Sequence, residues 1–301
     1  MRNLILTIDS EFDGAKVKDV LTKRLLISGG LCSKLKHRKN GILVNGSPSY
    51  VIAPVHIGDL VSVIVSDFEK DPHIRPMSYP LDIIYEDEDL LVINKPAGLA
   101  VHPSRDPKEI TLENALAYYL GADENPHPVS RLDKDTTGLI TIAKSGWAHS
   151  IMKTVQHSGQ MQKTYLAIVK GCPSQKSGII DAPIGLLEGS TYQHVVRDDG
   201  LSSVSEYQVI STLNDLSLVQ LILHTGRTHQ LRVHMAYMGY PLLGDWLYGT
   251  RDSRISRPAL HSYYLSFTHP LTNQKINCSA PCPEDMKQVF PCVFYMDSSL
   301  L

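Results

Sequence analysis

The stretch SRLDKDTTGL, Ser130 to Leu139, brings Arg131, Asp133, Lys134 and Asp135 together just ahead of the apolar run LITIA. Acids and cations so interleaved suit three settings: a solvated turn, a calcium loop, or a site that keeps one ionised carboxylate beside a cation. Calcium is excluded by spacing. Asp133, Asp135, Thr137 and Gly138 match the first, third, fifth and sixth positions of an EF-hand loop, but the twelfth, which needs a bidentate glutamate, is Lys144. The preceding NPHPV also carries two prolines and cannot serve as the incoming helix. A turn in which Asp and Thr satisfy their own backbone stays open as the structural alternative. Arg131, two residues ahead of Asp133, is placed to pin that carboxylate, and a buried Asp also needs a partner from a distant part of the chain.

A distant partner is offered by HTGRTHQLRVHMAYMGYPLLGD. Thr225-Gly226 reads as a turn after a strand, with Thr228 as the cap of a helix. On that helix Leu231, His234, Met235 and Met238 fall at helical spacing and define the core face. Arg227 then projects from the strand end, where a guanidinium can reach into a cleft; the plain alternative is a surface ion pair. His224, His229 and His234 recur every fifth residue, which puts them on no shared face, so no metal site is assigned. Tyr165, in QKTYLAIVKG, shares one strand face with Lys163 and Ala167. Such a tyrosine is more often core than catalytic, yet it would stack a base if that face opens on a cleft.

The elements that position these residues follow from pattern. NLILTID alternates as a strand, and AKVKDVLTKRLL sets Val17, Val20, Leu21 and Leu25 on one helical face. A second helix, CSKLKHRK, and the strands of NGILVNG and HIGDLVSVIV complete a small unit, with an Asn-Gly turn between strands. Residues 1–70 are read as this first domain, 71–80 as a proline-bearing linker, and 81–301 as a larger domain. In the larger domain, LDIIYEDEDLLVINKP reads as two strands around an acidic turn, and TLENALAYYL as a helix capped by Thr111. GLITIAK, KTYLAIVKG, SSVSEYQVI and LSLVQLILH read as strands, with helices near 146–157 and 228–238. Strands and helices do not alternate strictly, which predicts an α+β domain with a mixed sheet and excludes a Rossmann fold. Neither G-x-G-x-x-G nor a P-loop motif is present.

Bulk properties narrow the class. The chain has 301 residues, 43% hydrophobic and 20% charged, as ordinary globular proteins do. No apolar run reaches the ~20 residues of a membrane span. The opening MRNLILTIDSEFDG turns acidic too early for a signal peptide. Five scattered cysteines read as reduced thiols, which predicts a cytoplasmic protein, and Cys278 and Cys282 lack a second pair for zinc. The net charge is only −2, but Lys16, Lys18, Lys23, Arg24, Lys34, Lys36, Arg38 and Lys39 crowd one segment whose only acid is Asp19. A solvated helix face is the plain reading; a phosphate-facing patch fits the imbalance better.

NKPAGLAVHP, SRLDKDTTGL, KTYLAIVKG, TGRTHQLRVHMAYMGYPLLGDWLYG and LHSYYLSFTHP together resemble, in order, the motifs of the RluA/RluD-type RNA pseudouridine synthases. The resemblance covers nearly the whole chain, and the first domain resembles an S4 RNA-binding module. It implies a mixed, largely antiparallel catalytic sheet preceded by a small α/β RNA-binding domain. It implies isomerisation of uridine in RNA without a cofactor, with ribosomal RNA favoured over tRNA, no membrane and no obligate protein partner. By the same resemblance Asp133 is the catalytic aspartate, Tyr165 stacks on the target base and Arg227 pairs with the aspartate. Arg131, Thr136, His229 and Leu231 are assigned to RNA at the pocket, Leu231 as its apolar lining. Lys16, Lys23, Arg24, Lys34, Lys36, Arg38 and Lys39 are assigned to the RNA face of the first domain. Many members carry His where this chain has Ser130, which bears on substrate choice. An RNA N-glycosylase is the rival enzyme, but it wants a second carboxylate to direct water, and Asp135 lies too close in sequence to flank the substrate. An RNA-binding factor without chemistry is the rival from another class.

Overall fold

In the computed structural model the described residues are 2–67, 72, 74–103, 109–121 and 125–291. The N-terminal unit runs β1 (Asn3–Thr7), α1 (Val17–Asp19), a π-turn over Val20–Arg24, α2 (Gly29–His37), β2 (Ile42–Val44), β3 (Ser47–Pro48) and β4 (Leu60–Ile64). Its strands form an antiparallel sheet in the order β1-β4-β2-β3. Asn45 and Gly46 both take positive φ, as the two-residue hairpin between β2 and β3 requires. The long helix expected from Ala15 to Leu26 is instead broken. The Thr22 hydroxyl donates to the Lys18 carbonyl, and Leu26 turns left-handed, so only Val17, Val20 and Leu21 are fully buried, while Leu25 is partly so.

The larger sheet and its helices follow: β5 (Ile83–Glu86), β6 (Leu90–Lys95), α3 (Leu112–Leu120), β7 (His127–Pro128), β8 (Thr137–Ala143), α4 (Gly146–His157), β9 (Met161–Lys170) and β10 (Ser177–Asp181). Then come β11 (Ile184–Leu186), β12 (His194–Val196), β13 (Val204–Leu213), β14 (Leu216–Leu223), α5 (Gln230–Tyr237), β15 (Leu260–Thr268), β16 (Lys275–Ser279) and α6 (Glu284–Val289). The sheet order is β10-β13-β14-β9-β15-β8-β6-β5, with β16 on β15 and β7 on β8. Its pairs are antiparallel except for β15 with β8. This is the mixed, largely antiparallel α+β sheet that the sequence predicts.

Both faces are covered, so the central strand β8 is buried at every residue. On one face Leu91, Ile93, Ile140, Ile142, Tyr165 and Leu221 pack with Leu112 and Leu116 of α3 and Leu231 and Met235 of α5. On the other, Leu90, Val92, Leu139 and Phe267 pack with α4 and with the N-terminal unit in one continuous cluster. The N-terminal unit therefore packs directly against the larger sheet. Trp147 Nε1 donates to the Leu25 carbonyl at 2.9 Å, and Arg2 grips Asp89 at 3.0 and 3.1 Å. Asp67 accepts from Gly146 N at 3.2 Å and meets His127 Nε2 at 2.7 Å. The segment read as a linker lies partly outside the described residues. Its later part is pinned to α3, where Asn114 donates to the Arg75 carbonyl at 2.9 Å. Thr111 caps α3 as predicted, with Asn114 closing the capping box. Among the described residues no helix is long and apolar enough to cross a membrane. Cys32, Cys172, Cys278 and Cys282 are free thiols, and Cys292 lies outside the described residues.

Candidate active site

Asp133 stands on the turn that feeds β8, where Thr136 N donates to the Asp133 carbonyl at 3.1 Å. Two buried cations hold this turn by its backbone. Lys95, fully buried at the end of β6, donates Nζ to the carbonyls of Pro96 (2.8 Å), Leu99 (2.9 Å) and Lys134 (2.8 Å). Burial pushes its ammonium down to about 7, against the pull of Asp135 and Asp133. Arg257 donates Nη1 to the Asp135 carbonyl at 3.3 Å, while Nε and Nη2 clasp Asp285 at 2.7 and 2.8 Å. Gly138 follows at φ +105°, where a Cβ would overlap the Ser262 backbone. The charge density of the segment is thus answered by clamps on its carbonyls, which leave the Asp133 carboxylate to face a cleft.

That carboxylate meets Arg232, whose Nη1 donates to Asp133 Oδ2 at 3.3 Å. Arg232 is fixed from behind: Nε and Nη2 donate to the two oxygens of Asp245 at 2.7 and 2.8 Å, a bidentate pair. Its guanidinium carbon lies 5.1 Å from the centre of the Tyr248 ring. Asp245 is fully buried, and its Oδ1 also accepts from Leu247 N (3.1 Å) and Tyr248 N (3.2 Å). Burial would lower the Arg232 pKa, but Asp245 and Asp133 overcome it and push the guanidinium higher. Gly244 takes φ +76°, and a Cβ there would strike the Arg257 carbonyl, so glycine sets the bend that aims Asp245.

His229 approaches the same oxygen, its Nε2 4.0 Å from Asp133 Oδ2 and its Nδ1 2.9 Å from the Tyr248 hydroxyl. It holds φ +56°, a left-handed conformation that a non-glycine residue keeps only when its surroundings enforce it. Burial pushes its pKa down, against the pull of Asp133. Tyr165 is 5% exposed; its hydroxyl is bonded to Ser262 and burial pushes the phenol up. The cleft above Asp133 measures about 340 Å³ and is lined by His102, Arg131, Asp133, Lys163, Tyr165 and Arg227, among others. An adjoining pocket of about 60 Å³ shares Asp133, Tyr165 and Arg227 with it and is lined by Thr136, His229, Leu231 and Arg232.

The structure thus brings Asp133, Tyr165, Arg131, Thr136, His229, Leu231 and Arg227 to one cleft, but it corrects the pairing. The partner expected in Arg227 is Arg232. The helix starts later than predicted: His229 is its N-cap, Thr228 does not cap it, and α5 begins at Gln230. The Gln230 side chain accepts from Arg227 N and Thr225 Oγ1, which leaves Arg227 in the bend, its Nε on the Ser202 carbonyl at 3.2 Å. Nor does Arg131 pin Asp133; its Nη2 reaches Thr228 Oγ1 at 3.4 Å at the mouth of the cleft. Arg232 escaped the sequence reading because α5 is buried nearly all round, Arg232 included, instead of showing one polar face. The signal was present in the pair Arg232 and Asp245, both within TGRTHQLRVHMAYMGYPLLGDWLYG.

The N-terminal cations do not join this cleft. Lys16, Lys23, Arg24, Lys34, Lys36 and Lys39 are exposed on their own unit, and Arg38 is partly buried. Lys34 and Arg38 line a groove of about 1110 Å³ between α2 and the start of α4.

A family profile described as RNA pseudouridylate synthase matches residues 89–237, which include Asp133, Tyr165 and Arg232. An uncharacterized RNA pseudouridine synthase of Bacillus subtilis is 39% identical over 266 residues, 87% of this chain and 94% of that protein. Ribosomal large subunit pseudouridine synthase D of Zymomonas mobilis is 38% identical over 239 residues, 73% of this chain and 75% of that one. Among solved structures, human RNA pseudouridylate synthase domain containing 1 aligns with a TM-score of 0.56 at 26% identity, over 71% of this chain and 86% of that one.

Proposed function

The chain belongs to the RNA pseudouridylate synthase family, and on that footing we propose that Asp133 is the carboxylate with which it isomerises uridine in large-subunit ribosomal RNA. The observation that carries the assignment is the bridge through Arg232, which holds Asp133 at the cleft floor while the buried Asp245 holds Arg232. The reaction breaks the bond from ribose C1′ to N1, turns the base, joins C1′ to C5 and releases the C5 proton. Nothing is oxidised or consumed, so the residues need only extract, hold and polarise one nucleotide. The uridine must leave its stack to reach Asp133. Tyr165 then offers an aromatic face, Leu231 an apolar wall, and Arg131 and Arg227 a basic approach.

A glycosylase reading finds no support in Asp245, which shares Arg232 with Asp133, because it is buried behind Arg232 and cannot direct water. The synthase D relative supports the ribosomal substrate by its name. The S4-like role of residues 1–70 rests on the exposed cations of α2 and its neighbours. We place this work in the cytoplasm, where such RNA is made.

The test is tritium release from RNA labelled at uridine C5, prepared from a strain lacking the protein, with wild type and Asp133→Asn side by side. Release by wild type alone is expected, with RNA binding by Asp133→Asn held within a few-fold. Near-normal release by Asp133→Asn would remove that residue from the chemistry. No release by folded wild type from any RNA fraction would leave a binding factor.

A further inference from the structure

Most cations at the cleft already have work. Lys134 is paired with Glu109, Arg227 with the Ser202 carbonyl and Arg131 with Thr228. Lys163 differs. It sits on β9 two residues before Tyr165, on the same strand face, roughly 7 Å along the strand. It is partly buried, it lines the cleft, and among the described residues no hydrogen bond or ion pair reaches its ammonium. Burial pushes that ammonium down to about 8, and Lys153 nearby adds to the effect. Gln156, in the last turn of α4, lines the same cleft, and its buried Oε1 likewise has no hydrogen-bond partner among the described residues.

A buried acceptor without a partner is costly to keep, and a partly buried ammonium with none beside it is open to an anion; a ligand that completes both explains the pair. The ligand that enters this cleft is RNA under the reading above, on which this step rests. We infer that Lys163 and Gln156 form a subsite for the sugar–phosphate backbone beside the extracted uridine. Lys163 takes a phosphate, and the Gln156 carbonyl accepts a hydrogen bond from a ribose 2′-hydroxyl. The two chemistries are complementary: the ammonium supplies charge without sequence preference, and the carbonyl distinguishes RNA from DNA. Asp133 and Tyr165 address the nucleotide that reacts, and this pair addresses the chain that carries it.

The probe is a single-stranded RNA oligonucleotide centred on the uridine mapped by tritium release, with a second version 2′-deoxy at the flanking nucleotides. Lys163→Met is expected to weaken binding about tenfold at low salt and to lower the slope of log affinity against log salt by about 0.7, the loss of one phosphate contact. The kinetic loss should fall on KM more than on kcat, and Lys163→Arg should restore the slope. Gln156→Met should bind the two oligonucleotides alike, while wild type prefers the ribose form. Thermal melts report that each variant is folded. An unchanged salt slope in Lys163→Met would overturn the phosphate site, and unchanged ribose preference in Gln156→Met would overturn the acceptor. Wild-type tritium release reports separately on the isomerase reading.

Discussion

Replacing Arg232 with lysine separates the two jobs that this guanidinium performs. Arg232 makes two charge-assisted bonds to Asp245 and one to Asp133. A lysine keeps the charge but cannot span both carboxylates with a planar fork. Its choice follows from burial. Asp245 is fully buried, and stranding it would cost about 3–5 kcal/mol. The Asp133 side chain is 28% exposed, so water can replace a lost partner there. Lysine therefore stays with Asp245 and abandons Asp133. The stability loss should be that of one charge-assisted bond, about 1.5–3 kcal/mol. Catalysis should fall far more than folding suggests. Loss of a preorganised donor at a reacting carboxylate resembles loss of an oxyanion-hole donor, about 10²-fold in rate. Single-turnover tritium release measures the rate, and urea unfolding measures the stability. Arg232→Met, which also strands Asp245, should lose the further stability that Arg232→Lys keeps. If Arg232→Lys turns over near the wild-type rate, the bridge is a structural pair and the reasoning fails.

Three further outcomes follow from other parts of the structure. His261 is held neutral, its Nδ1 2.9 Å from Thr137 Oγ1 and its Nε2 3.2 Å from the Ala280 carbonyl, and burial pushes its pKa to about 4. The unfolded chain therefore binds more protons between pH 4 and 6.5, so this contribution to stability is lost as pH falls through that window. It should amount to about 2–3 kcal/mol between pH 7 and 4.5 by urea unfolding, and a His261→Gln protein with the same pH slope would refute the assignment. Gly244→Ala should cost about 1–3 kcal/mol in left-handed strain, more with the carbonyl overlap, and should slow turnover by tilting Asp245. Wild-type kinetics in a Gly244→Ala protein would show that the bend does not aim the bridge. Changing Lys34, Lys36 and Lys39 together to Gln should lower the salt slope of RNA binding by about 2 while leaving the melting temperature in place. An unchanged slope would remove α2 and the turn after it from the RNA face.

Several local patterns were legible from the chain alone, though the amphipathic stretch from Ala15 to Leu26 was not the single helix it suggested. The alternation of β1, the Asn45-Gly46 hairpin and the Thr111 cap are set by neighbours a few residues away. The turn at Asp133 belongs with them: its charges marked it as unusual, and the family motifs gave it a role. The short strands β10 to β12 and β16 were not legible, because their pairing energy comes from the rest of the folded sheet.

The partner of Asp133 was a different kind of question. Arg227 and Arg232 lie five residues apart, and both suit a guanidinium aimed at a carboxylate. What separates them is where α5 begins, which depends on Gln230 capping Arg227 N and on His229 holding a left-handed turn against Tyr248. Asp245 then captures Arg232 from thirteen residues away, across the bend that Gly244 permits. Lys95 reaches Lys134 across thirty-nine positions, and no periodicity marks such a contact. Residue types and short spacings specify which chemistry is available, because they act through the local backbone. The pairing of charges is settled by burial, since a buried ion must find its counter-charge wherever the packed sheet places one.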